Sequence, residues 1–206
     1  MQPSQVLAQN VLQPWVNPAP HRHQGALTIG LELAGDPGRA ELEAFVQAAF
    51  ARQHGAQVRT FMPVLIGLWA PDGAIAGVAG YRPAAAGPLY LEQYLEHPIE
   101  THLGPGVRRA DIGEIGNFAC RDCGTARSMM EVLAGFLCSR DHDWAVFTAT
   151  SQVRRIMAGI GIGLTEVAPA AAECVSLSAD DWGRYYATDP RVVVSHVPSW
   201  QPSARN

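Results

Sequence analysis

The stretch Asp111–Met130, DIGEIGNFACRDCGTARSMM, sets the tightest limits on what the chain can fold into. Its first half is apolar enough for a buried strand, its second half is helical, and only a short polar loop separates them. A strand that feeds directly into a helix is the unit from which sheets covered by helices are built. The same stretch holds candidate chemistry. Glu114 and Asn117 interrupt the apolar strand, and Gly124 and Thr125 fall where the helix begins. The first turn of a helix leaves backbone N–H groups unpaired and carries a partial positive charge, so it can hold a phosphate. A carboxylate in the strand beside such an end points to a site for an anionic, carrier-bound substrate.

The flanking sequence predicts a sheet around this unit. Leu27–Ala34 alternates as a strand, and Asp36-Pro37 reads as an N-cap and first helical residue before a face of Leu42, Phe45, Val46, Ala49 and Phe50. Met62–Ala70 and Ala74–Arg82 are apolar runs joined by Pro71-Asp72-Gly73, a hairpin signal. Pro88–Leu103 reads as one or two short helices, with Glu92 and Glu96 on one face and Leu91 and Leu95 on another. Beyond the opening stretch, Trp144–Thr150 is a continuous apolar strand and Ser151 caps a helix stopped by Gly159, Gly161 and Gly163. Those glycines follow a helix rather than a strand, the wrong context for a dinucleotide loop. Strands near 164–168 and 172–177, a short helix over 180–187 and a last strand over 191–197 complete the series. The expected fold is α/β (α+β): a mixed, mostly antiparallel central sheet with helices on both faces. Residues 1–25 form an irregular arm, 26–197 a single domain and 198–206 a flexible tail.

Several function classes are excluded or disfavoured. A net charge of -4 and a pI near 5.9 argue against nucleic acid and against a broad basic surface for acidic membranes. All fifteen basic residues are Arg, so a Walker loop and Schiff-base chemistry both lack their lysine. No run offers the ~18–20 apolar residues of a membrane span, so no stable insertion is expected. Residues 1–25 lack an apolar core and carry Pro3, Pro14, Pro18 and Pro20, which fits a cytoplasmic protein rather than a secretory signal. Cys120 and Cys123 form a lone C-x-x-C; a structural zinc site needs four ligands and nothing in the spacing supplies them. No metal site is expected, and the pair reads as part of the loop. His142, between Asp141 and Asp143, reads as a solvated turn.

Two readings of Glu114 remain open. A buried carboxylate with a raised pKa suits a general base, whereas pairing with Arg108 or Arg109 would make it structural. Asn117 can orient a carbonyl or satisfy strand backbone. Glu92, Gln93 and Tyr94 lie on a surface helix or on a lid over a pocket. Trp182-Gly-Arg-Tyr-Tyr186 packs a C-terminal element or supplies proton donors.

The segments MPVLIGL, GVAGYRPA, LYLEQYLEHPIE, EIGNFA, WAVFTAT and WGRYYATDPRVV, in this order over roughly residues 40–195, resemble the thermostable hemolysin family. That family in turn resembles the GNAT acyltransferases and, within them, the acyl-homoserine-lactone synthases. Asn117 stands where those synthases usually carry Arg, a departure that bears on the substrate. The resemblance implies a GNAT-like sheet whose central strands splay around a pantetheine arm. It implies transfer of an acyl group from acyl-CoA or an acyl carrier protein to a small amine or amino acid, in making a secondary metabolite or signal. The acyl donor is then a cosubstrate, with no permanently bound cofactor. Phe118, Ala119 and Cys120 would face the pantetheine, and Arg121, Gly124, Thr125 and Ala126 the phosphate. Glu114, Asn117 and Glu92 would be catalytic, with Arg82, Gln93, Tyr94 and Thr148 on the substrate. A directly membrane-lytic protein and a non-catalytic acyl-CoA-binding module are the alternative readings.

Overall fold

The two apolar runs around Pro71-Asp72-Gly73 fold as a hairpin in the computed structural model, which describes residues 27–175 and 179–200. Gly73 takes φ 82°, and the Asp72 carboxylate accepts the Ala74 N–H at 3.0 Å, closing the turn. The strands are β1 Thr28–Leu33, β2 Val64–Trp69, β3 Ile75–Pro83, β4 Ile112–Cys120, β5 Trp144–Ala149, β6 Thr165–Pro169 and β7 Arg191–His196. The helices are α1 Arg39–His54, α2 Cys123–Cys138, α3 Ser151–Gly159 and α4 Ala179–Trp182. The strands form one sheet in the order β1-β2-β3-β4-β5-β7-β6, antiparallel throughout except at β4–β5.

Helices cover both faces. Ile66 and Leu68 of β2, Tyr81 of β3 and Phe147 of β5 pack on Met129, Leu133 and Phe136 of α2 and Met157 of α3. On the other face Leu65, Val78 and Ala119 pack on Leu42 and Val46 of α1. The β5–β7 end of that second face, with Ile112, Val146, Val192 and Val194, is covered by Leu89, Leu91 and Ile99 from 3-10 turns between β3 and β4.

The middle of β4 departs from regular pairing. Gly80 pairs with Gly116 and Val78 with Ala119, so Asn117 and Phe118 both stand against Ala79. This is a β-bulge, and Asn117 has φ 46°, a left-handed conformation that Asn tolerates better than most residues. Because side chains alternate along a strand, the extra residue reverses the parity. Ile115 belongs to the core under α2, whereas Ala119, four residues on, belongs to the core under α1.

Local details differ from expectation where a polar group finds another partner. Asp36 accepts the Leu33 N–H at 2.6 Å, closing the turn after β1, and α1 starts at Arg39 without a side-chain cap. Thr150, not Ser151, caps α3. Of the strand expected over 172–177, Ala172–Cys174 is a 3-10 turn and 176–177 lie outside the described residues; the helix expected over 180–187 is the end of α4 followed by a short turn that starts at Tyr186. His142 is buried rather than solvated, between the Tyr81 hydroxyl at 2.6 Å and the Ala110 carbonyl at 2.9 Å. The tail expected from Pro198 begins as a packed turn, with Trp200 buried and its Nε1–H donating to Ser195 Oγ at 2.6 Å. The expected arm at 1–25 and the tail beyond Trp200 lie outside the described residues. Among the described residues no helix is long and apolar enough to cross a membrane.

The turns between β3 and β4 are organised by Arg109. Its guanidinium donates to Glu92 at 2.6 Å, Glu100 at 2.8 Å and the carbonyls of Ala84 and Gly87 at 3.0 and 2.8 Å. Burial alone would raise the Glu92 carboxyl; the bonds from Arg109, Leu89 N–H and Ile99 N–H outweigh it and hold the carboxyl below the usual range. Replacing Arg109 by Met should lower the unfolding free energy by about 2–4 kcal/mol, since two carboxylates and two carbonyls lose their donor. Denaturant unfolding tests this, and a loss within about 0.5 kcal/mol, the usual range for a surface change, would exclude the hub.

Candidate active site

β4 and β5 pair only from Ile112–Trp144 to Ile115–Phe147, yet β4 runs on to Cys120 and β5 to Ala149. Past Ile115 each strand follows its other neighbour: β4 stays with β3 as far as Cys120, and β5 with β7 as far as Ala149. The sheet therefore splits between its two parallel strands. Only alternate residues of a strand direct their N–H and C=O groups to a given neighbour, so one edge of residues 116–120 faces the gap without a strand partner. Adding side chains to Gly80 or Gly116 would bring them against Met62, which sits over the bulge.

A cavity of about 600 Å³ occupies the split and reaches both faces of the sheet. On the α2–α3 side its wall is apolar: Met130, Leu133, Phe147, Val153, Ile156 and Met157. On the α1 side it is aromatic and titratable, with Phe50, His54, Tyr90, Glu114, Trp182 and Tyr185. The exposed Arg52, Arg59 and Arg121 lie on its rim, where Gln53 donates to Gln152 at 2.8 Å and ties α1 to α3.

Glu114 stands on the α1 face of β4, 2 % exposed. Its Oε2 accepts the Tyr90 N–H at 3.0 Å and its Oε1 the Leu91 N–H at 2.8 Å. It pairs with neither Arg108, which bonds Asp111, nor Arg109. Burial pushes its carboxyl up, and the two N–H donors and the positive Arg82 offset only part of that rise. Glu114 thus fixes the first turn of the Tyr90–Tyr94 segment, which carries Tyr90 and Tyr94 to the cavity.

The structure brings most of the expected residues to this cavity. Arg82, Tyr94, Asn117, Phe118, Ala119, Cys120, Arg121, Ala126 and Thr148 all line it with Glu114. Asn117 is engaged on both sides of its amide, accepting the Met62 N–H at 2.8 Å and donating to the Thr60 carbonyl at 3.3 Å. Its amide therefore holds the loop beside the gap, which Arg39 secures from the other side through Met62 O at 2.7 Å. Arg82 donates to the Pro88 carbonyl at 3.0 Å, and the Tyr94 hydroxyl meets that of Tyr186 at 2.9 Å.

Four expected residues lie elsewhere. Glu92 is bound to Arg109 and does not line the cavity, and Gln93 is exposed, bonded to the Tyr90 carbonyl at 3.0 Å. Gly124 and Thr125 also stand outside the lining. Asp122 caps α2, its Oδ1 accepting both the N–H and the hydroxyl of Thr125 at 2.7 and 3.0 Å. The Thr125 N–H, with the rest of the helix start, holds the Asp122 carboxyl below its usual range, so a negative charge already occupies part of the expected phosphate cradle. Burial pushes the Cys120 thiol up to about 12, which keeps it protonated.

Sequence reasoning singled out Phe50 and the Trp182–Tyr186 run separately, but missed His54 and the wall they form together. Tyr185 stacks on Phe50 at 6.3 Å and meets the His54 ring edge-on at 5.3 Å, and Trp182 lies 5.1 Å from Tyr185. The available signal was the i, i+4 spacing of Phe50 and His54, which puts a titratable ring on the apolar stripe of α1.

The strand order, the parallel pair that splits and the helix crossing from β4 to β5 define a GNAT-like fold. Solved structures agree. TofI in its apo form aligns at 18% identity and TM-score 0.58, over 82% of this chain and 91% of that one. The AHL synthase LasI aligns at 14% identity and TM-score 0.58, over 84% and 91%. FeeM, an N-acyl amino acid synthase from uncultured soil microbes, aligns at 13% identity and TM-score 0.58, over 84% and 93%. No curated protein matches the sequence. Residues 33–199 match the thermostable hemolysin family, and the chain belongs to it.

Proposed function

We propose that the protein transfers an acyl group from a pantetheine-linked thioester to a small amine or amino acid. The observation that carries this reading is the split between β4 and β5, which offers an unpaired strand edge continuous with an apolar chamber. A pantetheine arm can lie along residues 116–120 as an added strand would, its amides bonding the free edge. The acyl chain enters the chamber walled by Met130, Leu133, Phe147 and Met157. The donor's phosphate meets Arg121 and the first N–H group of α2, that of Cys123, since Asp122 already holds those of Gly124 and Thr125. The amine approaches from the aromatic side, where Glu114 holds the Tyr90–Leu91 backbone in place. Its nitrogen attacks the thioester carbonyl, the C–S bond breaks, and the sulfur leaves as a thiol after taking up a proton. This chemistry suits the cytoplasm, where acyl thioesters are made.

A thermal-shift series with free CoA, acyl-CoAs of graded chain length and acyl carrier protein tests donor binding. A donor at a hundredfold excess over its Kd should stabilise the protein by about 2.7 kcal/mol, a rise of roughly 5–10 °C for a domain of this size. The stabilisation should grow with chain length, and mass spectrometry with an amine panel should find the N-acyl product. No shift with any donor would overturn the reading. So would lysis of cells by the purified protein without a donor, which points to a directly lytic action.

A further inference from the structure

We propose that His54 is the residue that takes the proton from the attacking amine. The inference rests on the acyl-transfer reading and adds a residue that neither motif nor strand pattern singles out. His54 is the last residue of α1, followed by Gly55 in a left-handed conformation at φ 70° that ends the helix. Its side chain is buried, 5 % exposed, yet it lines the cavity on the amine's side. The imidazole is held by rings, Phe50 at 5.7 Å and Tyr185 at 5.3 Å, and its nitrogens make no hydrogen bond among the described residues. A ring nitrogen that opens to the cavity is available to a ligand there. Its backbone is fixed as firmly as its ring, the carbonyl accepting the Arg184 N–H at 2.7 Å.

Glu114 is the competing proton acceptor, and its geometry differs. Both of its oxygens already accept backbone N–H groups, so protonation would weaken the bonds that hold the Tyr90 turn. His54 can take a proton without disturbing any bond of its own ring. Burial, with the nearby Arg184 charge, lowers its pKa below the ordinary 6.5 and keeps the ring neutral at neutral pH. The other charged and titratable groups around it are Arg52 on its own helix, the Arg59–Asp181 ion pair, Tyr185, and Glu114 and Tyr90 on the cavity wall. In the step, the amine nitrogen forms its bond to the thioester carbonyl carbon and the carbonyl electrons move to oxygen. The nitrogen's proton passes to the imidazole. As the carbonyl re-forms, the C–S bond breaks and the imidazolium returns the proton to the departing sulfur.

The test uses the full chain, a donor that turns over and its preferred amine. His54→Gln should bind the donor as the wild type does in the thermal-shift assay while kcat falls about 100-fold or more, within the range of a lost general base. The wild-type kcat/KM should fall with acid along a limb that matches the His54 pKa titrated by NMR, below 6.5, and the limb should vanish in the variant. Turnover within threefold of wild type, or an unchanged limb, overturns the assignment and leaves acyl transfer standing. A wild-type limb that departs from the titrated His54 pKa by more than one unit does so without any variant. Absence of wild-type transfer from every donor overturns both readings.

Discussion

Exchange of Glu114 for Leu is expected to lower the unfolding free energy by about 3–6 kcal/mol, which corresponds to a melting temperature lower by roughly 6–24 °C. Leucine fits the strand, so the loss is not one of packing. It arises because the N–H groups of Tyr90 and Leu91 lose charge-assisted bonds of 3.0 and 2.8 Å. Glu114→Gln should lose about half as much, since its amide keeps one acceptor oxygen and turns an N–H₂ toward the second donor. Both variants should still bind an acyl donor, because the unpaired edge of β4 beyond Ile115 is untouched, but turnover should drop as the Tyr90 wall loosens. Calorimetry beside donor binding separates these effects. A Leu variant that melts like the wild type would mean that the carboxylate does not hold the turn.

Gly183→Ala should be a severe single-atom change beside the site. Gly183 has φ 51°, and a Cβ there would run into the His54 carbonyl oxygen and come within 2.9 Å of the Gly55 carbonyl group. These are backbone atoms and cannot rotate away, so the two segments must part. The bonds Arg184 N–H to His54 O at 2.7 Å and Gln57 N–H to Asp181 O at 2.6 Å go with them. With the left-handed strain added, the expected loss is about 3–5 kcal/mol. The separation also uncovers His54, so its NMR-titrated pKa should climb toward 6.5 as burial is relieved. A variant that keeps both its melting point and a depressed His54 pKa would show that the contact yields freely.

The elements of the sheet were legible because they rest on local signals. The β2–β3 hairpin follows from two apolar runs and a Pro-Asp-Gly turn, and the end of α3 from its glycines. What the sequence hid depends on partners brought together by the fold. Arg109 meets Glu92 across 17 positions and His142 meets Tyr81 across 61, so Arg109 was offered to Glu114 and His142 was read as a solvated turn. Thr125 looked like an anion ligand until Asp122, three residues earlier, claimed its N–H. Glu114 stood out as a candidate because a carboxylate inside an apolar strand is conspicuous, whereas residues 118–121 entered only through the family resemblance. His54 did not stand out, since one titratable ring at a helix end gains meaning only from the aromatic rings packed around it.

The bulge at Asn117–Phe118 makes the cleft a matter of counting rather than of composition. One residue too many in β4 throws the strand out of step, and every side chain from Phe118 to Cys120 changes sides as a result. Substitutions along this run can widen or narrow the opening, but they leave the offset in place. Loss of a single residue would put the strand back in step, turning Ala119 to the opposite layer and bringing the two halves of the sheet toward closure. Descendants of this chain can therefore drift widely in sequence while holding their length fixed between Ile115 and Cys120.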